Sequence, residues 1–106
     1  MLSAPINIST SGDNTLVAAQ PGRRVRVLGF LLAGAGAVNA TWKDGAGTAL
    51  SGPLALAAAG GTITAPIAPP VVGSQLFWMA TGVGQSLVLN LSAAVGVGGV
   101  VVYDFI

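Results

Sequence analysis

The chain has no cysteine, no histidine and no glutamate, and only four basic and three acidic side chains among its 106 residues. Each shortage excludes something. Without cysteine there are no disulfides, thiolate metal sites or thiol chemistry, and the redox compartment is left open. Small secreted domains commonly depend on disulfide staples, so this chain suits a cytosolic origin or stabilisation by oligomerisation. General acid–base catalysis needs a tuned, positioned proton carrier. The carboxylates on offer are Asp13, Asp44, Asp104 and the C-terminus. Asp13 and Asp44 stand in turn-forming clusters, Ser11-Gly12-Asp13-Asn14 and Asp44-Gly45, where aspartate serves backbone geometry. The expectation is a protein that is not an enzyme, with no catalytic residue, no metal and no cofactor.

Charge of either sign is sparse. Charged residues make 7% of the chain and apolar ones 53%, against roughly a quarter charged in an ordinary globular domain. Disordered chains are polar and highly charged, so this one folds. So few charges cannot cover the surface of a small domain. The apolar area left exposed marks an interaction surface, in an assembly or in a membrane. The net charge of +1 gives no strong pull toward nucleic acid or anionic lipid.

The membrane alternative meets two obstacles. Residues 27–40 are uncharged but include Gly29, Gly34, Gly36 and Asn39 and stop at Lys43-Asp44, short of the about 20 apolar residues a spanning helix needs. Residues 83–103 are long enough, but Gln85, Ser86, Asn90 and Ser92 alternate with apolar residues as in a strand. Residues 1–22 carry no basic side chain, so no signal peptide is expected.

What is abundant is glycine and short apolar alternation. Sixteen glycines and six prolines interrupt runs of Val, Leu, Ile and Ala, as in many short strands joined by turns. Residues 5–10 alternate, and 15–19 form a second strand ending at Gln20-Pro21-Gly22. A central strand follows, from Arg23-Arg24-Val25-Arg26 to about Ala33. Simple alternation puts Val25, Val27, Gly29 and Leu31 on a core face. It puts Arg24, Arg26, Leu28, Phe30 and Leu32 on a face that begins basic, turns apolar and meets another protein surface.

Residues 37–43 direct Val38, Ala40 and Trp42 to one side and Asn39, Thr41 and Lys43 to the other. Asp44-Gly45 is a hairpin signal leading to a short strand at 48–50. Residues 54–59 read as strand or extended loop, and 62–64 as a short strand. Pro66, Pro69 and Pro70 make the next segment an extended loop suited to lying on a neighbour. Strands at 75–81, 86–92 and 99–105 complete the pattern, the last apolar on both faces through Tyr103 and Phe105 as well as its valines. The fold class is all-β: an antiparallel β-sandwich or jelly roll of about eight to ten short strands with no substantial helix. It is a single domain, in which residues 1–20 supply an N-terminal arm and first strands able to contact an assembly, and 21–106 the body.

Among candidate site residues, Arg23, Arg24 and Arg26 are the one charge cluster. They read as a solvated strand end, as partners for an acidic neighbour, or as a weak phosphate contact too small to carry nucleic-acid binding. Trp42 and Trp78 are aromatic anchors of the core or an interface, with sugar stacking as the rival role. Gly34-Ala35-Gly36-Ala37-Val38-Asn39 is half of a dinucleotide fingerprint without its third glycine or a βαβ unit, and reads as a turn. The sequons at Asn7, Asn39 and Asn90 have no secretion signal to give them meaning.

One longer pattern stands out. Trp42-Lys43 with Gly45 is followed by Leu50-Ser51-Gly52-Pro53-Leu54-Ala55-Leu56 and Gly60-Gly61. Then come Pro66, Phe77-Trp78, Gly82-Val83-Gly84-Gln85-Ser86-Leu87, Leu89-Asn90-Leu91-Ser92, Val97-Gly98-Gly99 and Tyr103. In order and spacing, with Val25-Val27-Leu28 upstream, this resembles a family of small β-sandwich proteins of tailed bacteriophages that decorate or cement the capsid. The resemblance implies a structural virion protein, made in the cytoplasm of a bacterial host and placed on the capsid surface. It implies a homotrimer whose other partner is the major capsid protein of a phage, with no nucleic acid and no membrane. Arg23, Arg24, Arg26, Phe30, Pro66, Pro69, Pro70, Tyr103 and Phe105 are then the expected subunit or capsid contacts. A glycan- or receptor-binding module of a phage tail fibre or surface adhesin is the alternative.

Overall fold

A computed structural model describes residues 2–57, 61–65 and 77–106. Among these residues there are nine strands and no helix. They are β1 (Leu2–Ile8), β2 (Gly12–Val17), β3 (Val25–Gly34), β4 (Val38–Asp44), β5 (Leu54–Leu56), β6 (Thr62–Ala65), β7 (Met79–Ala80), β8 (Leu87–Leu91) and β9 (Val97–Phe105). All pairings are antiparallel. One sheet runs β1-β9-β3-β6, with β7 continuing the β6 side of β3; the other runs β2-β8-β4-β5. The protein is thus an all-β sandwich. Leaving β7 aside, the two orders match position by position as chain neighbours, β1 with β2, β9 with β8, β3 with β4 and β6 with β5, which is the strand order of a jelly roll.

Period-two alternation builds the core. Val38, Ala40 and Trp42 of β4 and Leu87, Leu89 and Leu91 of β8 point inward, as their spacing predicts. Across the gap stand Val25, Val27, Phe30 and Leu32 of β3, Val97 and Val101 of β9, and Ile6 of β1. The Phe30 and Trp42 rings meet between the sheets, centroids 5.0 Å apart and tilted by 55°. Such a pair stabilises beyond its area burial by about 0.5–1.5 kcal/mol.

Two expectations are corrected here. First, β3 does not alternate evenly. Its pairing with β9 runs Val27 to Tyr103 and then Gly29 to Val102, so Leu28 is an extra, bulged residue. A bulge reverses the parity of everything after it. Phe30 and Leu32 therefore lie in the core rather than on a partner-facing side, and Leu31 turns outward. The first strands expected within residues 1–20 are present as β1 and β2. β1 pairs along its whole length with β9, and β2 with β8, because each has an apolar alternation that a neighbouring strand buries. β2 begins at Gly12, inside the cluster read as a turn. Second, residues 48–50 form no full strand; a single bridge links Ala49 to Lys43. The contacts expected of Pro66, Pro69 and Pro70 lie outside the described residues.

Two buried polar groups close one end of the sandwich. Asp44 accepts from the backbone N–H groups of Ala46 and Thr48 at 3.0 Å each, and from that of Gly82 at 3.3 Å. Its carboxylate holds the turn after β4 against the chain entering β8, the backbone role foreseen for it. The Thr81 hydroxyl accepts from the N–H of Val25 at 2.9 Å, while the Thr81 carbonyl accepts from Arg24 Nε at 2.8 Å.

Candidate interaction surface

The outer faces of the two sheets differ in chemistry. On the four-stranded sheet, cross-strand rows read Asp13–Asn90–Thr41 and Thr15–Val88–Lys43, with Asn39 beyond. Asp13 accepts from Asn90 Nδ2 at 2.7 Å and from Lys43 Nζ at 3.3 Å. These bonds, that of Asn90 first, hold the Asp13 carboxyl below the ordinary aspartate range against a smaller upward push from burial. This face carries hydroxyls, amides and charge, and suits water.

On the five-stranded sheet the rows are Pro5–Val100–Leu31–Thr64, Asn7–Gly98–Ala33–Thr62 and Ser3–Val102–Gly29. Apolar and small residues run across the middle, and hydroxyl and amide groups stand on the two outer strands. Leu31 is 38% exposed and Val100 36%. They are direct cross-strand partners. At one end a final row reads Asp104–Arg26–Ala80. Arg26 and Asp104 hold the only charges on these rows, and they hold each other. Arg26 Nε donates to Asp104 Oδ1 at 2.8 Å and Nη2 to Oδ2 at 2.5 Å, a two-pronged pair. The hydrogen bonds to Asp104 raise the Arg26 pKa above its already high ordinary value. The guanidinium also lies 5.8 Å from the centre of the Phe77 ring, within cation–π range. Phe77 and Trp78 are 46% and 53% exposed, and the backbone N–H of Trp78 donates to the Val27 carbonyl, fixing the pair beside β3.

The arginine cluster is thereby divided. Arg26 is committed to Asp104, Arg24 to the Thr81 carbonyl, and Arg23 lies exposed before the strand begins. Arg26 is thus not the open cation that an acidic neighbour would pair with. Phe30 is in the core against Trp42. Tyr103 and Phe105 are half-buried on the inner face of β9 and pack edge to face, centroids 5.7 Å apart. The two tryptophans separate completely: Trp42 is 0% exposed, whereas Trp78 is on the surface.

Comparison with protein-family models, curated proteins and solved structures gives no match. The surface therefore speaks through its own chemistry. Among the described residues no group of three or more His, Cys, Asp or Glu side chains converges on a metal position, and no helix is long and apolar enough to cross a membrane. Sequence reasoning missed Leu31 as a surface residue and Asp104 as the partner of Arg26. Gly29 in mid-strand was the available sign of a bulge. Nothing local identifies Asp104, because the pair joins residues far apart in the chain.

The Arg26–Asp104 pair has a measurable role. Asp104→Asn leaves a largely buried guanidinium without its counter-charge and is expected to destabilise the fold by about 2 kcal/mol. Replacing both residues by leucine should recover most of that loss, since an apolar pair needs no counter-charge. Urea unfolding midpoints of the two variants decide it. If Asp104→Asn unfolds with the parent, the pair is only a surface contact.

Proposed function

We propose that this chain is a structural protein that decorates or cements a bacteriophage capsid as a homo-oligomer, without chemistry of its own. The observation that carries an assembly role is the contrast between the two sheet faces. One is hydrogen-bonded and charged like a water-facing surface. The other is apolar across its centre, with its two charges mutually neutralised. A net-neutral, partly apolar face suits a partner surface better than solvent. Jelly-roll sandwiches serve viral capsids and lectins alike, so the architecture accommodates the reading without deciding it. The capsid as partner rests on the resemblance of the pattern from Val38 to Tyr103, and a homotrimer on the same ground.

The test is co-sedimentation of the purified protein with capsids of its own virus from which it has been stripped. Saturable binding in a fixed ratio to the major shell protein is expected, with a ratio divisible by three for trimers. The double variant Leu31→Lys, Val100→Asp places opposite charges on a cross-strand pair, an arrangement that antiparallel sheets accommodate. It is expected to weaken binding about 30-fold or more, as loss of a central apolar anchor does. Undiminished binding by this variant moves the contact to another surface. No binding by the parent ends the capsid reading.

The glycan- or receptor-binding alternative retains one of its two tryptophans. The exposure of Trp78 beside Phe77 supports it, whereas the burial of Trp42 does not. Glycan-array binding abolished by Trp78→Ala would favour it.

A further inference from the structure

A sandwich exposes sheet edges as well as faces, and an open edge invites pairing with another copy. β1 is the outermost strand of the five-stranded sheet and, apart from the two-residue β7, its partner strands are all inside it or on the far side. It pairs with β9 over seven residues in unbroken register, Leu2 to Tyr103 through Ile8 to Val97, with Pro5 in the middle. Proline has no N–H, so an unbroken antiparallel ladder admits it only where the N–H would point away from the partner strand. Ser3 and Asn7, two residues to either side, share that orientation. The edge of β1, unpaired among the described residues, therefore offers the donors of Ser3 and Asn7 with none between them. All three residues are exposed.

Two copies adding edge to edge about a twofold axis would centre seven-residue β1 strands on residue 5. Pro5 would then face Pro5, and both central hydrogen bonds would be missing. The other edges carry their own obstacles. β2 has an irregular register between Thr15 and Val17. β5 is three residues long and starts directly after Pro53, and β6 is four residues long with Pro66 next in the sequence. Short strands, bulges and proline are the usual means of blocking edge addition.

We propose that Pro5 is a guard residue that closes the β1 edge to strand addition by a second copy of this chain. The inference concerns the edge and holds whatever partner the sheet face meets. Contacts between copies are then made through faces and loops, and strand pairing between two β1 edges is suppressed.

The experiment uses the purified full chain without capsids. Pro5→Thr restores the missing donor and adds a residue favoured in strands. It is expected to form concentration-dependent higher assemblies in sedimentation velocity, whereas the parent keeps one defined size. The double variant Pro5→Thr, Asn7→Pro moves the proline two residues along, onto the same outward orientation, and is expected to return to the parent's behaviour. The proposal is overturned if Pro5→Thr keeps the parent's size distribution over a tenfold concentration range. It is equally overturned if the double variant assembles as readily as Pro5→Thr while circular dichroism shows both folded. Failure of the parent to bind capsids would leave this result untouched, so the two readings fail separately.

Discussion

Gly99→Ala is expected to lower folding stability by about 4 kcal/mol, a large part of what a domain of this size has. Gly99 sits in β9 with φ +146°, a backbone conformation that residues with a side chain rarely adopt. A Cβ built there would lie 1.9 Å from the Leu31 carbonyl oxygen and 2.8 Å from its carbonyl carbon. Both atoms belong to the backbone of the paired strand, so no rotamer change relieves the clash. β3 would have to move from β9, at the centre of the five-stranded sheet. Gly98, one residue earlier, is the control. A Cβ there meets nothing nearer than the Ile6 carbonyl oxygen at 3.8 Å, an ordinary contact. Gly98→Ala is therefore expected to change stability by less than about 1 kcal/mol. Urea unfolding of the two variants side by side makes the measurement. Similar midpoints would mean that the Gly99 backbone relaxes freely and that the β3–β9 contact is looser than its geometry.

The second large effect is at Trp42. It is the largest fully buried side chain, packed against Phe30 from the opposite sheet. Trp42→Ala removes that contact and leaves a cavity between the sheets, for an expected loss of about 3–5 kcal/mol. The indole has a second feature. Its Nε1–H is buried with no hydrogen-bond partner among the described residues, and a buried donor left unsatisfied costs about 1–3 kcal/mol. Trp42→Phe removes the orphan donor along with part of the ring. Its gain offsets its loss, and the net change is expected to stay within about 1.5 kcal/mol. Unfolding followed in a Trp78→Phe background reports Trp42 fluorescence alone in the reference protein, and circular dichroism serves the variants. If Trp42→Phe is as damaging as Trp42→Ala, Nε1 has an acceptor in the folded protein and the orphan is not real.

These effects separate what alternation reveals from what pairing decides. The inward faces of β4 and β8 were legible because Val38, Ala40 and Trp42, and Leu87, Leu89 and Leu91, repeat every second residue between turn signals. That repeat is local and needs no knowledge of neighbours. The same rule failed on β3, where one bulged residue exchanged the fates of Phe30 and Leu31. The candidate surface inherits that failure. Val100 was visible as one side of a strand apolar on both faces, but its partner Leu31 was assigned to the core. The aromatic anchors were recognisable as a type and not as individuals: Trp42 went inside because it stands on the inner parity of β4, and Trp78 stayed out beside a two-residue strand.

By itself the sequence determined that the protein is all-β, that its strands fall between glycine- and proline-marked turns, and that its inventory offers little for catalysis. Composition and short-range alternation suffice for these, since both are properties of consecutive residues. Only the tertiary structure decided which of the two sheet faces is apolar, that Arg26 is neutralised by Asp104, that Gly99 must have no side chain, and that Pro5 stands on an edge. Each of these depends on which strand lies beside which and in what register. Register is set by contacts between residues distant in the chain, where a single bulge shifts every later side chain to the opposite face.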